Sequence, residues 1–454
     1  MLAPPRQANS ADEGQHQVKR RSFLTSSVAV SILAACGTKD VILPGERLAL
    51  RDGLATAEQA VAANQAKPIQ LPAAQTNANW THRFGSPSHR VQHPALGSQL
   101  ALAFAVNIGE GNSRRARITA DPVIDGGVVY TLDARGLVSA VAQTGGLIWQ
   151  KDVSPKNDNS SSASGGGIAV GGGRVFVATG YGALTGLDAA TGAVVWQQDL
   201  DAPGGSAPTV LGETVYLVGR DSRAWAIDVA NGRIRWQLDG TPSTANFGGG
   251  AGAAVTPTLA VFPFPSGEVM GAFPLGGLRR WSSVVSGQRL GHAGGTISDI
   301  SGDPVIDGNR VYAANISGRV VALDLETGNR IWTASEGSPG PVWPEGGSVF
   351  LINDVNELLR LDAADGTAIW RVELPKFEES RERRQKTFFA HYGPIVAGGR
   401  VIVASSDGAL RQFDPASGAL VGQTDLPGGA ASNPAIAGGV LYVVSGRGQL
   451  LAFR

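Results

Sequence analysis

The sequence predicts an all-β protein: an eight-bladed β-propeller of four-stranded antiparallel blades, closed by pairing of its N- and C-terminal strands. Three observations lead there. Tryptophan recurs at Trp149, Trp196, Trp236, Trp281, Trp332 and Trp370, at separations of 38 to 51 residues, close to the 40–50 period of propeller blades. A turn of the form Asp-x-x-x-Gly precedes most of them, with Trp four residues after the Gly. The chain also ends in a repeat that stops short, and the missing strand stands at the start of the repeated region.

The unit is clearest in Gly172-Gly-Arg-Val-Phe-Val-Ala-Thr179 leading to Asp188-Ala-Ala-Thr-Gly-Ala-Val-Val-Trp196. Two further copies lead to Asp228…Trp236 and Asp324…Trp332. Runs such as Val440-Leu-Tyr-Val-Val444 have strand length and apolar content suited to burial between two sheets. The turn Asp can bond backbone amides of its own turn, and the Gly supplies positive φ, so the next strand returns antiparallel. A Trp at a fixed place in each unit buries a large surface against the adjacent blade and reads as packing. Phe104 takes the slot before Trp149, and Gly422 the slot after Trp370; that makes eight. The tail from Asn433 to Arg454 lacks its last strand, and Gln99–Val106 supplies it. Pairing these two ends removes the exposed edges of an open stack. The unit at 250–285 fits least well, because Pro263 and Pro265 suit a strand end and not its middle.

Residues 1–35 read as a secretory signal: Arg20 and Arg21 in a basic stretch, then an apolar run from Ser22 to Ala35 too short to span a bilayer. It ends in Leu33-Ala34-Ala35-Cys36, which resembles the bacterial lipobox, and Cys36 is the one cysteine in the chain. Lipidation there would anchor the protein. Arg20-Arg21-Ser22-Phe23-Leu24 also resembles a twin-arginine export signal. Gly37 follows the cysteine, where this class of signal favours the outer membrane. Residues 36–79 are expected to be a flexible tether and 80–454 the propeller.

Composition narrows the function. Glycine, at 62 residues, is roughly twice its usual share, as many tight turns require. Lys plus Arg equals Asp plus Glu, 38 each, which argues against a nucleic-acid binder. A single cysteine excludes an intramolecular disulfide and a thiolate zinc cluster. The histidines at 16, 82, 89, 93, 292 and 391 form no ligand motif; His82, His89 and His93 are read as solvated or hydrogen-bonded loop residues. Gly180-Tyr-Gly182-Ala-Leu-Thr-Gly186 mimics a dinucleotide fingerprint, but a strand and turn follow it and no helix N-terminus. Lys376–Lys386 is the densest charged run, either a solvated connection or a contact site.

The repeat Asp-Ala-x-Thr-Gly-x-x-x-Trp, complete at Asp188–Trp196, resembles the quinoprotein-type propeller repeat. With a lipobox before a single eight-bladed ring, the chain from about residue 78 onward resembles the family of the outer-membrane protein assembly factor BamB. Ala120–Ala134 also looks typical of that family. The resemblance implies a non-catalytic, cofactor-free scaffold on the periplasmic face of the outer membrane. It would be a monomer within a hetero-complex, docking on the periplasmic domains of the barrel subunit BamA and able to meet unfolded outer-membrane proteins. It carries docking onto the loops Pro242–Gly248 and Ile297–Ser301, hence onto Asn246, Phe247, Gly248, Ser298, Asp299 and Ile300. Asp299 falls where the family has an acidic contact. The first loop departs from the family pattern, with Ser243-Thr-Ala-Asn-Phe247 and neither Leu nor Arg. Two alternatives share the fold: a quinone-cofactor dehydrogenase, whose adjacent-cysteine disulfide is impossible here, and a propeller binding glycan or peptidoglycan at its channel mouth.

Overall fold

A computed structural model describes residues 64–155, 165–200, 202, 206–243, 250–285 and 297–454. The signal and lipobox residues, Cys36 among them, and Asn246, Phe247 and Gly248 lie outside these. The described strands form eight separate four-stranded antiparallel sheets. Seven are meanders in chain order: Val123 to Asp152 (blade 1), Gly166 to Asp199 (2), Thr209 to Asp239 (3), Ala254 to Val284 (4), Ile300 to Ala334 (5), Trp343 to Glu373 (6) and His391 to Asp425 (7). The eighth joins Ala435–Ala437, Val440–Val444 and Gln449–Phe453 to Leu102–Asn107 from the other end of the chain. Phe104 pairs with Ala452 and Val106 with Leu450, and Ala101 and Arg454 exchange two backbone hydrogen bonds. The predicted closure is therefore present. In blade 4 the second strand is Ala260–Pro263, with Pro263 as its last residue.

Burial follows the strand order. Second and third strands are buried along nearly their whole length, as in Thr214–Val218, because each is covered on both faces by neighbouring blades. Fourth strands alternate, as in Ile234–Asp239, because one face meets water.

The recurring tryptophans latch blade to blade. Each indole Nε1 donates to a carbonyl in the turn of the following blade: Trp149 to Ala189 (3.0 Å), Trp196 to Val229 (2.9 Å), Trp236 to Pro274 (3.0 Å), Trp281 to Leu325 (2.8 Å), Trp332 to Ala363 (2.9 Å) and Trp370 to Pro415 (3.1 Å). The ring lies on that turn's glycine. A Cβ built on Gly366 would stand 2.6 Å from the Trp332 ring, at a φ of +76°. One Gly thus serves both the turn and the indole's approach. Phe104 covers Gly145 in the same way but has no N–H to donate. Gly422 has no counterpart turn to meet, because the next blade is the one that the chain termini close.

The turn Asp behaves as expected. Asp188 accepts from the Thr191 hydroxyl (2.7 Å) and amide (2.9 Å), and these bonds hold its carboxyl below the ordinary range.

One segment departs from the sequence reading. Residues 64–79 do not hang free of the ring: Asn64 donates to Arg371 O, Gln65 N to Ile369 O, and Arg360 donates to the carbonyls of Lys67 and Pro68. From Asn77 the chain runs round the axis as a strap and meets each blade in turn. Asn77 O accepts from Gly438 N of blade 8 (2.8 Å), and Trp80 exchanges two bonds with Ile124 of blade 1. Thr81 O accepts from Val170 N of blade 2 (3.0 Å), and His82 Nε2 from Val210 N of blade 3 (2.9 Å). Pro87 O then accepts from Val255 N of blade 4 (2.7 Å), and Ser88 O from Ile306 N of blade 5 (3.0 Å). Arg90 Nε donates to Pro344 O of blade 6 (3.4 Å), and Pro94 O accepts from Gly398 N of blade 7 (2.9 Å). Several of these donors are first-strand amides, the groups that an innermost strand would otherwise leave unpaired.

Candidate docking face and central cavity

In every blade the chain enters the first strand and leaves the fourth at the same end. The blade-to-blade connections therefore share one face of the ring, and the Asp-x-x-x-Gly turns share the other with the strap. At the connection face opens a central cavity of about 480 Å³, lined by Asp121, Asp299, His391, Tyr392 and Asn433 among others, with Arg83 reaching it from the strap.

Arg83 holds the cavity's inner end. Its guanidinium pairs with Asp121 (3.3 Å) and Asp303 (3.1 Å), residues at the first strands of blades 1 and 5 on opposite sides of the ring. Burial alone would lower the Arg83 pKa, but Asp303 and Asp121 outweigh it and raise it. Asp121 also accepts from Asn433 N (2.7 Å) and Nδ2 (2.9 Å), and Asp303 from Gly252 N (2.7 Å).

His391 and Tyr392 are pushed toward neutrality. Burial lowers the His391 pKa; its Nε2 donates to Pro375 O (2.8 Å), so Nδ1 accepts from the Ser405 hydroxyl (2.7 Å). Burial, helped by nearby Asp121, pushes the Tyr392 phenol up to about 12. Among the described residues no group of three or more His, Cys, Asp or Glu is placed to hold a metal ion.

The charged run is an ordered connection between blades 6 and 7. Phe377 and Phe388 pair across it at 4.7 Å between ring centroids. Phe389 N donates to Lys376 O and Glu378 N to Thr387 O, which makes a hairpin-like arm. Phe388 is 61% exposed and lines the cavity.

The three described contact residues, Ser298, Asp299 and Ile300, take different positions. Ser298 is half-buried at the rim. Asp299 is 4% exposed and faces the cavity. Ile300, 1% exposed, belongs to the core between blades 4 and 5, where it supports the loop. The three loop histidines are the hydrogen-bonded kind: His82, His89 and His93 are buried, each fastening the strap to a different blade, at Val210 N, Pro304 O and Gly399 N. Arg83 was not singled out from sequence. Its signal was the aromatic-rich Trp80-Thr-His-Arg-Phe84 in a stretch otherwise read as leading into the first strand.

A closed eight-bladed ring of quinoprotein-type repeats, strapped at one face and open at the other, defines the class as a propeller whose loops surround a central cavity. The sequence profile described as outer membrane protein assembly factor BamB matches residues 134–372 and 360–454. The chain belongs to that family. Outer membrane protein assembly factor BamB of Yersinia pestis is 26% identical over 338 residues, covering 73% of this chain and 83% of that protein. That of Shewanella oneidensis is 24% identical over 358 residues, covering 77% and 87%. The crystal structure of BamB from Moraxella catarrhalis superposes with a TM-score of 0.65 at 18% identity, covering 78% of this chain and all of that one. Quinohemoprotein alcohol dehydrogenase from Comamonas testosteroni gives 0.64 at 17%, covering 84% and 81%. These two superpositions speak to the fold alone, since enzyme and assembly factor fit it equally.

Proposed function

We propose that the protein is a lipid-anchored, non-catalytic scaffold of the machinery that assembles outer-membrane β-barrels, held to the periplasmic side of that membrane through Cys36. Family membership over the repeats carries this reading, and the lipobox Leu33-Ala34-Ala35-Cys36 accords with it. The docking partner is the periplasmic part of the barrel subunit BamA. The docking surface is the connection face, where Pro242 and Ser243, the loop 297–301 and the arm 376–389 belong. Charged groups at the inner end of the cavity behind that face are engaged with one another, with Arg83 between Asp121 and Asp303, which suits a fixed surface more than a reacting one.

The test is affinity purification of the lipidated protein from native membranes. Two variants go alongside, Phe247→Ala with Asp299→Ala, and Arg383→Glu with Arg384→Glu, each checked for folding by circular dichroism. The barrel subunit should co-purify with the unsubstituted protein and be lost from at least one folded variant. Failure to recover it with the unsubstituted protein in the outer membrane would overturn the scaffold reading. Recovery with both folded variants would move the docking surface off this face.

A further inference from the structure

Blade 4 breaks the repeat at one turn. Blades 2, 3, 5, 6 and 7 open the turn between third and fourth strands with Asp188, Asp228, Asp324, Asp362 and Asp414. Blade 4 has Phe273 there, in Phe273-Pro-Leu275-Gly-Gly-Leu278-Arg279-Arg280. The backbone is the same: Phe273 N donates to Leu278 O as Asp188 N does to Ala193 O, and Gly277 N to Phe273 O as Gly192 N does to Asp188 O. The side chains are not. Leu275 is 90% exposed, Leu278 70% and Phe273 41%, where blade 2 places Ala190, Ala193 and Asp188.

The turn is also held firm. Pro274 O accepts from Trp236 Nε1 (3.0 Å) and from the Tyr216 hydroxyl (3.3 Å), and Gly277 lies under the Trp236 ring. Three apolar side chains are thus presented to water on a rigid corner, without the side-chain bonds that the turn Asp makes in blade 2. Their hydration is unfavourable.

We propose that this turn is a membrane-contact wedge that inserts into an anionic lipid surface. Two observations select lipid as the occupant. Arg279 and Arg280, both exposed, follow the apolar tip directly; apolar residues beside arginines suit the boundary between acyl chains and anionic headgroups. Arg280 also lies over the Phe273 ring and pairs with Glu326, which positions it beside the tip. The second observation is the route of the chain. The polypeptide reaches the ring at Asn64 and Lys67, and Lys67 pairs with Asp362 (2.6 Å), the opening residue of the corresponding turn in blade 6. Asn64 lies along the fourth strand of blade 6 and Lys67 at its turn, so the described chain starts beside the turn face. The proposal rests on the proposed lipid anchor at Cys36, which keeps the protein at a bilayer.

The experiment uses the full lipoprotein with Leu275→Cys, labelled with an environment-sensitive fluorophore and reconstituted into phosphatidylethanolamine–phosphatidylglycerol vesicles carrying nitroxide lipids. Ala190→Cys at the equivalent turn of blade 2 is the control. The probe at 275 should shift to the blue and lose emission to the nitroxides, while the probe at 190 keeps an aqueous spectrum. Identical aqueous spectra at both sites would overturn the proposal. So would shielding at 275 in native membranes but not in vesicles, which would assign the turn to a protein contact. Failure of the anchor reading is seen separately, as labelling of Cys36 in the unsubstituted protein. The comparison is then repeated in a Cys36→Ser background with the same two outcomes.

Discussion

At the scale of residues, the tryptophan latch joins two jobs in one side chain: covering the glycine of the next turn and donating to its carbonyl. The two are separable. Trp332→Phe keeps most of the covering surface but leaves Ala363 O without the indole donor, which should cost about 1 kcal/mol. Trp332→Ala should cost about 3–5 kcal/mol, since the covering surface is lost as well. Denaturant unfolding of the two variants reads the difference. The buried histidines make a second prediction. His82 accepts a backbone hydrogen bond through Nε2 and so works in its neutral form. Burial first, with nearby His89, lowers its pKa to about 3; His89 is also lowered by burial. An unfolded chain titrates these groups near 6.5, so between those values it binds more protons than the folded one. Stability is then complete above about pH 6.5 and falls as the pH drops toward 3, with a slope of up to about 1.4 kcal/mol per pH unit for each histidine. Thermal melts across pH 7 to 5 should show the decline, and His82→Gln should make it shallower, leaving the part that belongs to His89.

At the scale of elements, the repeat was readable because the same chemistry returns at a fixed spacing. Asp188, Gly192 and Trp196 each have a local reason visible in the sequence, and the structure gives each that role. The closing strand was readable for a related reason: Gln99–Val106 has strand character and no unit before it. The strap was not readable. It has no regular period, and most of its hydrogen bonds reach residues a hundred or more positions away, such as His82 to Val210 and His93 to Gly399. Reading residues 36–79 as tether rested on composition, and composition does not register a chain lying along strand edges. The loops around the cavity show the same limit: Ser298, Asp299 and Ile300 are consecutive, yet one is at the rim, one faces the cavity and one is core.

At the scale of the whole molecule, stability depends on closure. Every blade is flanked by two others only in the closed ring; opened, the two end blades would each leave a face uncovered. Deleting Gln449–Arg454 removes the strand between Val440–Val444 and Leu102–Asn107, separating both from their partner. The truncated protein should lose its single cooperative melt by circular dichroism and bind a hydrophobic dye, whereas an intact-like melt would show that the ring closes by other contacts. Export and docking belong to this scale too, and sequence carried them differently. The proposed lipobox is a local signal of four residues, Leu33 to Cys36. A docking face is a property of assembled loops from different blades, which the sequence names but does not arrange.

The strap works as a gauge. Between Asn77 and Pro94 it offers at least one hook to each blade, taken in the order 8, 1, 2, 3, 4, 5, 6, 7. A ring of seven built from the same repeats would leave a hook idle, and a ring of nine would leave an innermost strand with no hook at all. The repeats alone do not count themselves, since each knows only its neighbours. The number eight is written a second time, in a stretch of chain that is not a repeat.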